Sequence, residues 1–317
     1  MSGLERRATA HGTEEPSASV AVVIPCHDEA EHVAAVVKGF RDALPDASIL
    51  VVDNASRDDT AALARAAGAR VLFEPRKGKG NAVLTGLRAA SDADYVIMVD
   101  GDGTYPASRA PDLLAAAAEG ADLVVGTRLT QAEAGAFPAG HGFGNRLFIL
   151  LVRVLFGART GDLFSGYRVM SRRFLHTVPL LATGFEIEAE LTLQAEMRGL
   201  VVRELPVAYR PRTGDSRSKL STFRDGYRIL LAILTFFRDY RPFACFGGLA
   251  LLFAAAALGC GWLVVADYLR TGLVHRLPLA VLAAALFILS ALSLTCGAVL
   301  SSINRRAAEL ATLIGAR

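Results

Sequence analysis

Short apolar runs alternate with segments of helical periodicity in the first part of the chain. The predicted strands cover residues 20–24, 49–52, 70–73, 95–99 and 123–125, which are rich in β-branched side chains. The predicted helices cover residues 29–44, 59–67, 80 to about 90, and 111–119; the first carries Val33, Val36, Val37 and Phe40 at helical spacing. This alternation predicts an α/β domain, with a mostly parallel sheet and helices on both faces.

Two long apolar stretches follow near the C-terminus. Residues 243–266 and 277–303 carry no charged side chain, and each exceeds the roughly 20 residues that a helix needs to cross a bilayer. Because the connector, residues 267–276, is short, we predict a two-helix transmembrane hairpin over residues 242–304. A pair of buried core helices is the alternative, and the length of both stretches disfavours it.

An amphipathic helix is predicted immediately before the hairpin. Residues 223–241 are rich in apolar side chains and also carry Arg224, Arg228 and Arg238. This pattern favours a helix that lies in the membrane interface. A helix of the protein core is the alternative.

Arginine residues around the apolar stretches predict the orientation of the chain. The arginines before the first stretch are Arg224, Arg228, Arg238 and Arg241, and those after the second are Arg305 and Arg306. The connector carries Arg270 and Arg276. The positive-inside rule therefore places the large domain, residues 20–222, and the C-terminal tail, residues 305–317, on the cytoplasmic side of the cell (inner) membrane. Residues 1–19 are polar, and we expect a disordered tail there with no signal segment.

Composition narrows the expected partners. The chain of 317 residues is 52% hydrophobic, and its mean hydropathy of +0.37 agrees with a membrane protein. Its formal net charge of +3 is too small to predict nucleic-acid binding, and no basic-aromatic stripe is present. The cysteines have no paired spacing, so the sequence predicts neither a disulfide nor a cysteine metal site.

Three predicted strands end in acidic or polar clusters. These are His27-Asp28-Glu29, Asp53-Asn54 and Asp100-Gly101-Asp102. Because parallel strands bring their carboxyl ends to one edge of the sheet, where ligands bind, we expect the clusters to lie together. Asp100 and Asp102 offer hard oxygen ligands that suit Mg²⁺ or Mn²⁺ beside a diphosphate. The alternative is that the acids only cap the following helices.

Two other nucleotide-binding classes are disfavoured by local sequence. The first strand leads into Pro25-Cys26-His27-Asp28 and lacks the G-x-G-x-x-G pattern of dinucleotide-binding domains. No G-x-x-x-x-G-K-[ST] pattern occurs, which argues against a P-loop NTPase. Gly78 and Gly80 bracket Lys79 at a helix start, where backbone amides could bind a phosphate; a plain glycine turn is the alternative.

The motifs, taken in order, resemble the family 2 glycosyltransferases of the GT-A fold. The resemblance starts with Pro25-x-x-x-Glu29, Asp53-x-x-Ser56, Lys77-Gly78-x-Gly80 and Asp100-x-Asp102. Further motifs are similar to those of the polyprenyl-phosphate (dolichol-phosphate) sugar synthases: Arg128, Asn145-Arg146, Asp162-x-x-Ser165-Gly166-Tyr167-Arg168, Arg212-x-Gly214 and Ser218-Lys219. Thr104 stands where many members carry glutamine, and the basic segment 214–219 is longer than in relatives.

This resemblance implies an enzyme and names its site. The implied reaction is inverting transfer of a sugar from UDP-hexose, a UDP-N-acetylhexosamine or GDP-mannose to polyprenyl phosphate at the cytoplasmic membrane face. The implied cofactor is Mg²⁺ or Mn²⁺ on Asp100 and Asp102. A homo-oligomer stays open, and the competing hypothesis is a non-catalytic nucleotide-binding membrane adaptor for a lipid-sugar pathway.

The site residues implied by the resemblance fall into three groups. The catalytic group is Asp102, Asp162 and Arg128. The nucleotide-binding group is Pro25, His27, Glu29, Asp53, Lys77, Gly78, Asp100 and Gly101. The group for the acceptor phosphate or the diphosphate is Arg128, Arg146, Ser165, Arg168, Arg212 and Lys219. The resemblance also favours a role for Glu186 or Glu188, and the glycine-rich segment 137–143 is a candidate acceptor loop.

Overall fold

The computed structural model describes residues 18–128, 141–157, 160–210 and 222–315. The chain divides into two compact units, residues 1–142 with 161–219, and residues 143–160 with 220–317. Most of the predicted N-terminal tail lies outside the described residues. Ser19 is ordered, because its backbone N–H and its hydroxyl both donate to Asp94 Oδ2, at 2.8 and 2.9 Å.

The first unit contains one sheet built from seven strands of the described residues. The strands are β1 Val20–Cys26, β2 Ser48–Asp53, β3 Arg70–Phe73, β4 Tyr95–Met98, β5 Leu123–Thr127, β6 Arg168–Ser171 and β7 Val202–Pro206. Their order across the sheet is β3-β2-β1-β4-β6-β5-β7. Neighbouring strands are parallel except at β6, which is antiparallel to both β4 and β5. The mostly parallel sheet is confirmed, but β6 and β7 were not predicted.

The helices follow the predicted positions along the first unit and fill the second. They are α1 Val33–Ala43, α2 Thr60–Ala66, α3 Lys79–Ala89, α4 Ala110–Ala118, α5 His141–Phe156, α6 Arg172–Thr177, α7 Ile187–Met197, α8 Thr222–Tyr240, α9 Pro242–Thr271 and α10 Leu277–Gly315. The first helix begins four residues later than residue 29, because residues 29–32 form a turn in which the Glu29 carbonyl accepts from His32 and Val33.

Helices cover both faces of the sheet because side chains alternate along each strand. Val22 and Ile24 of β1 pack into one buried core with α1, α2 and α4. Ala21 and Val23 of the same strand pack into a second core with α3, α6 and α7. The predicted α/β class with two helical layers is therefore confirmed.

Two helices of the second unit are long and apolar enough to cross a membrane. Among the described residues they are Pro242–Thr271 and Leu277–Ala307, with mean hydropathies of 2.3 and 2.4 in their most apolar windows. Each extends further than the predicted apolar core. The first ends where Gly272 adopts a left-handed conformation, φ +68°, which is a common helix terminus.

The long helices α9 and α10 pack against each other as a hairpin. The Ser290 hydroxyl of α10 donates to the Ala250 carbonyl of α9 at 2.8 Å. Gly297 of α10 lies against α9 so closely that an added Cβ would be 3.0 Å from Phe246 Cβ. Small residues at such contacts allow close helix approach in lipid. In α8, Ile229 and Ile233 are buried while Leu231 and Leu234 are exposed; its place in the membrane interface stays a prediction.

We predict that Gly297→Val destabilises the hairpin, because the added side chain must force α9 and α10 apart. Overpacking of this kind costs about 1–3 kcal/mol. Thermal unfolding of the detergent-purified protein measures the loss. The matched control is Gly261→Val in α9, where an added Cβ has no neighbour within 4 Å. Equal midpoints for the two variants would contradict the close helix contact.

Candidate active site

The acid pair Asp100 and Asp102 occupies the turn that directly follows β4, as predicted. Gly101 between them is buried and lies against Cys26 at the end of β1. On the other side, Gly166 contacts the carboxylate of Asp100 so closely that an added Cβ would be 2.1 Å from Oδ2. The turn is therefore held between the end of β1 and the segment that leads into β6.

Asp100 is part of an ion cluster with Lys79 and Glu188, in which Glu188 is buried and the other two side chains are partly buried. The Lys79 ammonium at the start of α3 lies 2.5 Å from Asp100 Oδ1 and also pairs with Glu188 Oε1 at the start of α7. Burial lowers the pKa of Lys79, but the charges of Asp100 and Glu188 outweigh it and raise the pKa above its ordinary value. Burial raises the pKa of Glu188, and Lys79 opposes this shift.

Asp102 is buried and bonded to Thr104. Its Oδ1 accepts from the Thr104 hydroxyl at 2.6 Å and from the Thr104 backbone N–H at 3.2 Å. The hydroxyl at position 104 therefore orients the acid.

Arg128 follows β5 and pairs with the fully buried Asp162. Its Nε donates to Asp162 Oδ2 at 3.1 Å, and its backbone N–H donates to the same oxygen at 3.3 Å. The other oxygen of Asp162 accepts from the Phe164 N–H at 3.1 Å. The Arg128 guanidinium also lies 5.6 Å from the centre of the Tyr209 ring. Two catalytic residues predicted from the sequence are thus in direct contact.

The ends of β1 and β2 meet around Asn54. His27 Nδ1 donates to the Asn54 carbonyl at 2.8 Å, and the Asn54 side-chain amide donates to the carbonyls of Glu74 and Arg76. Asn54 Oδ1 accepts from the Gly78 N–H at 2.8 Å. Asn54 thereby ties the loop after β3 to the sheet edge, a role that its place next to Asp53 did not reveal.

The loops after β1 and β2 contain two strained residues. Asp28 has φ +52° and Ala55 has φ +54°, conformations that are uncommon outside glycine. The Asp28 carboxylate accepts from the Arg57 N–H at 2.6 Å, and the Asp28 N–H donates to the Ser56 hydroxyl at 3.0 Å. Strain held in place by such bonds is typical of ligand-binding loops.

Other predicted nucleotide-binding residues lie in or beside these loops. Pro25 lies within β1 and pairs with Val52 of β2; the strand ends at Cys26, two residues beyond the predicted end. Asp53 ends β2 and accepts from the Ser56 N–H, while the Glu29 N–H donates to Thr60. Lys77 is exposed. Their roles towards a nucleotide stay predictions.

The helix start at Gly78 is used for packing. The Gly80 N–H donates to the Gly184 carbonyl at 3.1 Å, and the Asn81 N–H donates to the Thr183 carbonyl at 3.3 Å. With the Gly78 amide on Asn54, protein acceptors take these three amides; a role for Gly78 or Gly80 towards a phosphate stays a prediction. The contact joins α3 to the segment before α7.

Arg168 and Ser165, two residues of the predicted phosphate-binding group, lie in the core, and their role towards a phosphate stays a prediction. Arg168 is fully buried and donates to the Leu163 carbonyl, the Ser165 carbonyl and the Thr192 hydroxyl at 2.7–2.9 Å. Ser165 is also fully buried, and its hydroxyl donates to the Gly126 carbonyl at 2.5 Å. Both residues support the site from within the core.

Several predicted site residues lie wholly or partly outside the described residues. Arg212 and Lys219 lie outside the described residues, as does segment 137–140 of the predicted acceptor loop; residues 141–143 begin α5. The backbone of Arg146 is helical, and its side chain lies outside the described part of the structure.

The carboxylates at the sheet edge suit a hard divalent cation. Among the described residues, no group of three or more His, Cys, Asp and Glu side chains could hold a metal ion. Asp100 and Asp102 nevertheless match the needs of Mg²⁺, which takes one or two carboxylates and completes its shell with water and substrate phosphates. These two carboxylates therefore suit a metal ion that is bound together with a diphosphate.

The sheet order and the acid pair after β4 agree with the GT-A fold. A crystal structure of glucosyl-3-phosphoglycerate synthase from Mycobacterium tuberculosis with Mg²⁺ and uridine-diphosphate matches with a TM-score of 0.58. It is 24% identical and covers 69% of this chain and 79% of that chain. The likeness supports the fold.

Sequence comparison identifies the family. The profile of glycosyl transferase family 2 matches residues 21–178. Glycosyltransferase AglJ of Haloferax volcanii is 33% identical over 258 residues, which cover 81% of this chain and 85% of the relative. The dolichyl-phosphate hexose transferase of the same organism is 34% identical over 220 residues, covering 68% and 93%. The chain belongs to glycosyl transferase family 2.

We predict that Lys79→Met destabilises the first unit by about 3 kcal/mol, because Glu188 then stays buried without its counter-ion and the partly buried Asp100 lies beside it. An acid whose pKa is raised by folding is stabilised in its protonated form, so the deficit should shrink as the pH falls from about 8 to about 5. Denaturant unfolding of the detergent-purified protein across this range measures both effects.

Two further variants sharpen this test. Lys38→Met removes an exposed lysine of α1 and should leave stability within about 0.5 kcal/mol. Glu188→Gln combined with Lys79→Met removes one of the orphaned charges and should restore part of the loss. A Lys79→Met deficit that does not depend on pH would contradict the ion cluster.

Proposed function

We propose that the chain transfers a hexose from a nucleotide sugar to the phosphate of a polyprenyl-phosphate lipid, with inversion at C1. The observation that carries the proposal is the presence of acidic and basic side chains at the same edge of the sheet. The acids Asp100 and Asp102 follow β4, and the cation Arg128 follows β5, with only β6 between these strands. This arrangement can hold a cation-bridged diphosphate and a second anionic group side by side.

The reaction needs little acid-base chemistry from the protein. A phosphate monoester has a second pKa near ~6, so the acceptor is largely a dianion at neutral pH. One of its oxygens attacks C1 of the sugar as the bond from C1 to the diphosphate oxygen breaks, and the nucleoside diphosphate leaves. The protein must hold both anions in line and offset their repulsion.

The described residues supply these needs. Arg128 would bind the acceptor phosphate, since a guanidinium suits phosphate oxygens. Asp162 holds Arg128 in place through Nε and is therefore an orienting partner; the reaction requires no base. Mg²⁺ or Mn²⁺ on Asp102, helped by Asp100, would stabilise the charge that develops on the leaving diphosphate.

A lipid acceptor agrees with the rest of the chain. Helices α9 and α10 are apolar enough for a membrane, and one relative is a dolichyl-phosphate hexose transferase. Arginine distribution supports a cytoplasmic catalytic domain. The structures of fold neighbours with uridine-diphosphate favour a UDP-sugar; a UDP-N-acetylhexosamine and GDP-mannose are the alternatives. A non-catalytic adaptor would have no need for the acid pair and Arg128 together.

Purified protein incubated with Mg²⁺ or Mn²⁺, polyprenyl phosphate and a panel of labelled nucleotide sugars tests the proposal. We predict that Asp102→Asn lowers lipid labelling by about 10²-fold or more with every donor, because several kcal/mol of leaving-group stabilisation is lost. The control is Asp112→Asn, an exposed acid of α4 paired with Arg109. Unchanged turnover of Asp102→Asn would remove the metal assignment. A wild-type protein that labels no lipid would leave the adaptor hypothesis in its place.

Arg128→Ala should weaken the use of lipid phosphate more than nucleotide binding. Without Arg128 the acceptor dianion is no longer held in line with C1, and such misplacement lowers turnover by about 10²-fold, while nucleotide binding by calorimetry should change little and reports that the fold is intact. Arg203→Ala, at an exposed pair with Glu119, is the control. Equal losses of nucleotide binding and acceptor use would reject the assignment of Arg128 to the acceptor.

A further inference from the structure

A short chain of contacts joins Asp102 to Arg128. Its first contact is the pair of hydrogen bonds from Thr104 to Asp102 Oδ1, at 2.6 and 3.2 Å. Thr104 is 1% exposed. Because one residue supplies both donors to one oxygen, the orientation of the carboxylate follows the position of Thr104.

The next contacts lead from Thr104 to the segment after β7. The Arg210 N–H donates to the Thr104 carbonyl at 3.0 Å. The rings of Tyr105 and Tyr209 meet edge to face with centres 5.2 Å apart. We call these four residues, Thr104, Tyr105, Tyr209 and Arg210, the edge link.

The last contact reaches Arg128. The Tyr209 ring, 8% exposed, lies 5.6 Å from the guanidinium carbon of Arg128, within the range of a cation–π interaction. Asp162 holds the same guanidinium through Nε. Arg128 is thereby held by an ion pair and by an aromatic ring that belongs to the edge link.

We propose that Thr104 and Tyr209, at the two ends of the edge link, are positioning residues, Thr104 for the cation-binding acid and Tyr209 for the phosphate-binding arginine. Thr104 orients Asp102 towards a divalent cation, and Tyr209 supports Arg128 towards the acceptor phosphate. The roles of Asp102 and Arg128 rest on the proposed function. Partners that orient a metal-binding carboxylate change metal affinity by about 10–100-fold when they are removed.

The first test measures Mn²⁺ affinity by electron paramagnetic resonance, in the presence of UDP and, in parallel, of GDP. Thr104→Val keeps the shape of the side chain and removes the hydroxyl donor, so it should weaken Mn²⁺ binding about tenfold or more. Thr104→Ser restores the donor and should bind within about threefold of wild type. Thr85→Val removes a comparable hydroxyl bond, at 2.5 Å to Glu74, and should not change Mn²⁺ affinity.

The second test asks whether Tyr209 affects the use of the acceptor without affecting Mn²⁺ binding. Tyr209→Leu should raise the KM for polyprenyl phosphate about three- to thirtyfold, the range of a lost cation–π interaction, with Mn²⁺ affinity within about twofold of wild type. Tyr209→Phe keeps the ring and should restore the KM. Parallel losses of Mn²⁺ affinity and acceptor use in Tyr209→Leu would mean a collapsed edge and would overturn the role of Tyr209.

The outcomes distinguish this inference from the proposed function. Equal Mn²⁺ affinity in Thr104→Val and wild type overturns the role of Thr104, even if the wild type transfers sugar to lipid. A wild type that binds no Mn²⁺ with either nucleotide overturns the inference together with the metal assignment. A wild type that binds Mn²⁺ but labels no lipid defeats the proposed acceptor, while the Thr104 variants still decide whether the link orients Asp102.

Discussion

Charged side chains buried at the carboxyl edge of the sheet are the constraint on which this domain depends. An isolated charge in a protein interior is so unfavourable that it must be paired and hydrogen-bonded. Lys79 meets this need for Asp100 and Glu188, and Arg128 meets it for Asp162. Since these residues begin or follow α3, β4, β5 and α7, the pairs fix those elements relative to one another. The same charged side chains therefore determine both the packing of this edge and its chemical character.

The balance of charge at this edge also explains which ligand it suits. A single ammonium, that of Lys79, lies between two carboxylates, and the acid Asp102 lies close by in the same turn. The cluster therefore keeps an excess of negative charge, which favours a divalent cation. On the side of β5, Arg128 contributes a guanidinium whose charge Asp162 balances. The proposed reaction would place a metal-bound diphosphate near the acids and a phosphate monoester near this arginine.

Much of the fold could be predicted from the sequence, because period-two and helical patterns are local and strong. The five strands from Val20 to Val125 and the acids that end them were predicted for this reason. β6 was missed because its first residue, Arg168, also ends a motif that resembles a ligand site, so the segment was assigned to that motif. Its antiparallel direction depends on pairing with β4 and β5, residues far away in sequence, which no local pattern records.

The same distinction explains the site. Residues that follow strands, such as Asp102 and Arg128, could be placed from sequence because strand ends define the ligand edge. Arg168 could not, since an arginine in a motif looks alike whether it faces a ligand or the core. Here its donors hold the carbonyls of residues 163 and 165, which positions Gly166 against Asp100. A charged motif can thus serve a reaction through the backbone it supports, and only burial and hydrogen-bond partners separate that role from direct contact.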